Sequence, residues 1–261
     1  MANAAGRITA LSISPVKALR VERRERLLLE PGGARGDRAM FLIDERGRMV
    51  NGKHHPQLTA VVAQAGPNGT LSLELPDGRR VEQEAGLGEE LKVRFYSKSR
   101  PARAIEGPFS EVLSAYAGAP LRLVAFADGA SAIDRGAAGA VTLMSAASAE
   151  AVARAAGREA IDARRFRMTI EFDGVAAFAE AAWIGRELTV GAARIKPFGH
   201  VGRCSITTLD PERGLVDLPT LDILREIRGG AETTEPLALG VFCAVTTPGE
   251  VAVGDELRVV D

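Results

Sequence analysis

The sequence predicts a mainly β fold of the α+β class, a barrel or sandwich of short strands with a few short helices. Two observations predict it. Apolar residues alternate with polar ones at Ile8 to Ser14, Ala39 to Ile43, Leu58 to Gln64, Thr70 to Leu75 and Leu91 to Phe95, the period of half-buried strands. Glycine and aspartate punctuate these runs, as in Glu45-Arg46-Gly47-Arg48 and in Pro76-Asp77-Gly78-Arg79, which reads as a hairpin turn. Many short strands joined by tight turns favour a closed or doubly layered sheet.

Helices are expected at Phe109 to Gly118, at Ser145 to Ala156 with Ser145 or Ser148 as cap, and at Leu218 to Ile227. A boundary is expected near residue 123, where Leu121-Arg122-Leu123-Val124 ends a strand-rich block. The Ala- and Gly-rich stretch from Asp128 to Ala140 then reads as a surface connection. This gives two domains, 1–123 and 124–261. The second holds expected strands at Phe166 to Phe172, Glu187 to Lys196 bent at Gly191, Val201 to Thr208, Leu239 to Val245 and Glu256 to Val260.

Composition narrows the function. The chain of 261 residues is long enough for two cores, and 46% hydrophobic with 26% charged residues is ordinary for a globular protein. A net charge of −1 with scattered basic residues argues against nucleic-acid binding. Two cysteines, Cys204 and Cys243, are too few for a disulfide framework, which points to a reducing compartment. No signal peptide or membrane span is predicted, so the expected location is cytoplasmic. The 28 arginines against 5 lysines supply planar forks suited to anionic ligands such as phosphate.

The segment Gly202-Arg203-Cys204-Ser205-Ile206-Thr207-Thr208-Leu209-Asp210-Pro211-Glu212-Arg213-Gly214 sets a thiol beside a guanidinium. Cys204 reads either as a small buried apolar residue, or as a soft-metal ligand or nucleophile whose pKa Arg203 lowers. Asp210 reads as a proton donor or as the first residue of an Asp-Pro turn. Cys243, in an apolar strand, reads as core. Lys17, in Ser14-Pro15-Val16-Lys17, is either an exposed loop lysine or a point cation for a phosphate. Arg38 is delivered to a strand entrance by the turn Gly36-Asp37-Arg38. Arg165 and Arg167, in Asp162-Ala163-Arg164-Arg165-Phe166-Arg167, would share one strand face as a solvated edge or an oxyanion clamp. Ser145 and Ser148 open a helix, as caps or as an anion site. His54 and His55 have no partner at zinc-ligand spacing and read as surface residues.

Arg203-Cys204 followed by the Thr207-Thr208 pair and Asp210-Pro211-x-x-Gly214 resembles the signature of MOSC-domain proteins. Further matches run in order from about Ile8 to Val260: Pro15-Val16-Lys17, Gly36-Asp37-Arg38, Asp162-x-x-Arg165-Phe166-Arg167, Trp183-x-Gly185 and Val251-x-Val253-Gly254-Asp255. There are departures. Ala18 stands where a serine is usual, and Asn51-Gly52-Lys53-His54-His55-Pro56 replaces the common Thr-x-Arg-Gln-x-Pro.

The resemblance implies an N-terminal β-barrel domain joined to a MOSC β-barrel, as in amidoxime-reducing components and bacterial hydroxylaminopurine-resistance proteins. It further implies a molybdenum cofactor (Mo-molybdopterin), with Cys204 as the sulfur ligand to the metal. Lys17, Arg38, Lys53, Ser145, Ser148, Arg165, Arg167 and Arg203 are the implied cofactor contacts, Arg165 foremost among them. The family also carries a pyridoxal phosphate association. The implied activity is reduction of a small N-hydroxylated substrate. Electrons would come from an external donor, a reductase or a ferredoxin-like or cytochrome b5-like protein, since the chain has no four-cysteine run. The rival reading is a carrier of molybdenum cofactor or of sulfur on Cys204, without turnover of its own.

Overall fold

The protein is described by a computed structural model covering residues 4–260, so residues 1–3 and 261, the ends of the two expected domains, lie outside the described residues. Strand is the dominant regular structure among the described residues, with three α-helices. Seven strands close into a barrel: β1 (Ala4–Ile13), β2 (Val141–Ser145), β3 (Ile170–Asp173), β4 (Glu187–Val190), β5 (Ala193–Gly202), β6 (Ala238–Thr247) and β7 (Glu256–Val260). Their order is β3-β2-β6-β5-β4-β7-β1, and β1 returns to pair with β3 through Ile8–Phe172 and Leu11–Ile170. Closure removes both sheet edges. The strand that closes the barrel comes from the far side of the expected boundary near residue 123.

Only β2 and β3 run parallel, and the crossover between them carries helix α2 (Ala146–Ala155), as parallel neighbours require. Alternation sends Ile8, Leu11, Leu143, Ile170, Phe172, Leu188, Val190, Ile195, Val241 and Leu257 inward. Cys243 is fully buried among them, and burial pushes its thiol pKa up. It is a core residue.

The first half adds a five-stranded sheet in the order Leu87–Phe95, Lys98–Ile105, Arg122–Phe126, Phe41–Ile43, Met49–Val50, and a backbone bridge between Arg48 and Arg94 brings its ends together. Phe41, Phe95 and Phe126 fill it, with ring centroids 4.7 to 5.3 Å apart, the spacing favourable for aromatic pairs. Helix α1 (Phe109–Ala117) buries Phe109, Leu113 and Ala117 at i, i+4, i+8 and ends on left-handed Gly118. Helix α2 is capped by Ser145, whose Oγ accepts the Ser148 N–H at 3.2 Å. Helix α3 (Thr220–Arg228) carries Asp222 in its first turn and Arg225 and Arg228 in its last, in keeping with the helix dipole.

Five expectations need correction. Leu58 to Gln64 is not one strand: Pro56 opens a 3-10 turn at Pro56–Ala60, and the strand starts at Val62. Phe166 to Phe172 is shorter, because the Asp162 carboxylate accepts the Arg164 N–H at 2.9 Å and winds Ala163–Phe166 into a 3-10 turn. Arg167 ends that turn in a left-handed conformation at φ 54°. Arg165 and Arg167 therefore do not share a strand face. Val201 to Thr208 breaks at Gly202, and Ser205–Thr208 is a 3-10 turn with Cys204 as its N-cap. Thr207 Oγ1 donates back to the Cys204 carbonyl at 2.9 Å, and Thr208 Oγ1 to Ser205 at 2.7 Å, local bonding that competes with a strand ladder. Glu187 to Lys196 is a hairpin of β4 and β5 about Gly191 rather than one bent strand. The stretch 128–140 is more than a surface connection, since Ala132 is fully buried and its neighbours line a cavity.

Candidate active site

A cavity of about 320 Å³ opens where the barrel meets the first-half sheet. Every cation implied from sequence as a cofactor contact lines it: Lys17, Arg38, Lys53, Arg165, Arg167 and Arg203, together with Cys204. Ser145, Ser148 and Asp210 do not. The two serines are fully buried and bonded to each other at 2.8 Å, and Ser148 donates to the buried Glu180 at 3.2 Å. Asp210 shapes its turn, accepting from the Glu212 N–H and Arg213 Nε, each at 2.7 Å.

Cys204 stands at the mouth of β5 as a free, partly exposed thiol. Two arginines fix the turn that carries it. Arg203 donates to the carbonyls of Phe166, at 2.8 Å, and Leu239, and touches the Met168 sulfur at 2.9 Å. Its Nε has no hydrogen-bond partner among the described residues, and burial pulls its pKa down to about 9, with Cys204 and Glu180 opposing. Arg165, 4% exposed, forks onto the Asp217 carboxylate at 2.9 and 3.0 Å and reaches the Thr207 carbonyl at 3.3 Å. Thr220 Oγ1 donates to the same carbonyl at 2.7 Å. Arg165 thus spends its donors inside the protein, bracing the Cys204 turn.

Opposite the thiol lie three converging cations. Lys17, in the turn that follows β1, donates to the Ala132 carbonyl at 3.2 Å and pairs with Asp134. Arg38 sits at φ 49° and pairs with Asp37, which is itself buried and held by the Ser14 N–H at 2.8 Å. Among the described residues the Arg167 side chain finds only Ser14 Oγ, at 3.3 Å. Burial and then Arg38 bring the pKa of Arg167 down to about 10, with Asp37 and Asp134 opposing. Lys17 is also lowered, by burial against the pull of Asp134, with Arg38 and Arg167 adding to the decrease. Three cations therefore share two carboxylates. Such a cluster repels itself until an anion enters.

The Asn51–Pro56 segment forms another wall. A Cβ on Gly52 would fall 2.7 Å from Ile206 Cδ1, so this segment presses directly on the Cys204 turn. Lys53 is exposed on it at the rim. His54 is exposed, and its Nδ1 faces the Asn51 N–H at 3.5 Å. Among the described residues no group of three His, Cys, Asp or Glu side chains could hold a metal ion by itself, and no helix is long and apolar enough to cross a membrane.

Sequence reasoning missed Tyr96, Asp134, Arg135, Thr142, Met168 and Thr169, all of which line the cavity. Tyr96 leaves one faint trace, a bulky residue at the hairpin before Lys98, where φ is 54°. Asp134 and Arg135 sit in an Ala- and Gly-rich stretch that carries no motif.

The MOSC N-terminal beta barrel domain model matches residues 5–116 and the MOSC domain model residues 130–258. The chain is 28% identical over 281 residues to mitochondrial amidoxime-reducing component 1 of Xenopus laevis, covering 96% of this chain and 81% of that protein. The same component of Danio rerio is 28% identical over 287 residues, covering 96% and 83%. Of solved structures, the YuaD protein of Bacillus subtilis superposes over 97% of this chain and 94% of its own with a TM-score of 0.45 and 12% identity.

Proposed function

The chain belongs to the MOSC-domain family, its MOSC N-terminal beta barrel preceding the MOSC domain, and from that premise we propose that it is a molybdenum-cofactor reductase of N-hydroxylated compounds. One observation carries the reading: a free thiol, Cys204, lines the same cavity as three cations short of counter-charge, Lys17, Arg38 and Arg167. A soft sulfur donor suits a soft metal, and the cations suit a phosphate. The donor set therefore fits a metal bound to a phosphorylated pterin.

In this reading Cys204 would hold the metal, and Lys17, Arg38, Arg167 and rim Lys53 the anionic end of the cofactor. When bound, the cofactor supplies two-electron redox chemistry. The chain supplies placement: Arg203 and Arg165 keep the Cys204 turn rigid, and Phe242, Val201 and Ile206 give the cavity apolar walls. Overall, an N–O bond breaks, oxygen leaves as water, two protons come from solvent and two electrons from a separate reductase or electron-carrier protein. Relatives named as amidoxime-reducing components support the substrate class.

The test is molybdenum by elemental analysis and pterin fluorescence after oxidation, on native protein and Cys204→Ala from a cofactor-producing host, with turnover of a hydroxylamine by an artificial electron donor. Near-stoichiometric metal lost in a folded Cys204→Ala variant, with turnover by the native protein, is the expected result. Cofactor without turnover would favour the carrier reading, and absence of both metal and pterin overturns the proposal.

A further inference from the structure

The connection between the two halves places its own carboxylate on the cation cluster. Asp134 pairs with Lys17 and is the one carboxylate among the described residues lining the cavity. Its surroundings differ from those of the other acid nearby. Asp37 is buried, and a backbone N–H fixes one of its oxygens. Asp134 has a side chain 57% exposed, on a connection with little regular structure beyond a short 3-10 turn. Its other neighbours are Tyr96, whose pKa burial and then Asp134 push up, and Arg38. Beside it, Arg135 pairs with Glu235 and stacks at 4.4 Å on Phe242, and the Ala132 N–H donates to the Arg38 carbonyl at 2.7 Å. These contacts tie the connection to both halves and keep Asp134 aimed at Lys17.

We propose that Asp134 is a specificity-determining residue, an internal anion that occupies Lys17 until a ligand carrying two negative charges displaces it. The inference rests on the reading of Lys17, Arg38 and Arg167 as a phosphate cradle. An incoming group must outcompete a carboxylate held close to the lysine. A single negative charge only exchanges one ion pair for another and gains little after desolvation, whereas a phosphate monoester also engages Arg167, whose one direct polar partner among the described residues is a hydroxyl. Asp37 cannot yield in the same way, because leaving would strip the Ser14 N–H of its acceptor.

The test uses the full-length, cofactor-free protein and titration calorimetry with inorganic phosphate at about pH 8, where phosphate is largely dianionic, and with nitrate as a monoanion. Native protein is expected to bind phosphate and not nitrate. Asp134→Asn is expected to bind phosphate about tenfold more tightly and to acquire nitrate binding, since the lysine is then free. Asp134→Ala, checked for folding by its melting curve, should behave the same way. Phosphate affinity unchanged or weakened in both variants overturns the inference. Lys17→Met separates the two readings: loss of phosphate binding there leaves the cradle intact as an idea whatever Asp134 does, whereas native-like binding overturns the cradle and the inference together.

Discussion

Replacing Asp217 with alanine should unsettle the Cys204 turn more than any surface change. Asp217 forks onto Arg165 at 2.9 and 3.0 Å, and Arg165 is 4% exposed, so the variant strands a buried guanidinium. Removing one partner of a buried pair costs about 3–5 kcal/mol. Here the Asp217 side chain is 18% exposed, and Arg165 keeps the carbonyls of Asp162 and Thr207. The loss should therefore lie at the low end, about 3 kcal/mol, or a fall in Tm of about 6–12 °C for a chain of this size. Urea unfolding followed by circular dichroism measures it, and the double variant Arg165→Met, Asp217→Leu should recover most of the loss because no charge is left behind. A single variant within about 0.5 kcal/mol of native, the scatter of ordinary surface changes, would refute the bracing role. The sign of the pH dependence also follows. Burial raises the Asp217 pKa, but Arg165 and Arg158 more than offset it, so the net shift is down. The pair's stabilisation is then full above about pH 4, the ordinary aspartate value, and fades as pH falls below it.

Arg167→Gly should separate stability from binding: at φ 54° glycine relieves backbone strain of about 1 kcal/mol, while phosphate affinity measured by calorimetry falls at least about tenfold. Burial, and then Arg228, lower the His200 pKa, so the folded state resists its protonation. Native stability should drop as pH falls below about 6.5, and urea midpoints of His200→Gln at pH 7 and pH 5.5 should differ less than those of the native protein. A fragment of residues 124–261 lacks β1 and leaves one edge of β3 and one edge of β7 without a partner, so the barrel stays open. It should fail to give a cooperative melt, and adding the first 123 residues in trans should restore one.

Much of the framework was legible because its signals are local. Ser145 before an Ala-rich run announced α2, Gly118 closed α1, and Asp77-Gly78 turned a hairpin between Thr70–Glu74 and Arg80–Glu84. The cavity was legible in part: Lys17, Arg38, Arg167 and Cys204 sit in recognisable motifs and do line it. What was hidden depends on partners far along the chain. Arg165 looked like the best anion contact, but its fork belongs to Asp217, 52 positions away. Arg167 was expected on one strand face with Arg165, which fails because alternation assumes extended backbone and the Asp162 cap bends the chain before the strand begins. Asp134 carries no motif, and its meaning comes only from facing Lys17.

The barrel closed by β1 also sets a timetable for folding. The end of β1 can pair early with the short strand Glu22–Arg24, yet its partners in the barrel are β3 at 170–173 and β7 at 256–260. Ile8 and the barrel edge of Leu11 must wait, exposed and able to pair wrongly, through the synthesis of roughly 160 further residues for β3 and longer still for β7. Pairings of such long sequence separation are slow to form, and waiting apolar strands invite aggregation. The barrel can close only once β7 has been made, so yield in a cell should depend on holding β1 apart from other nascent chains until then.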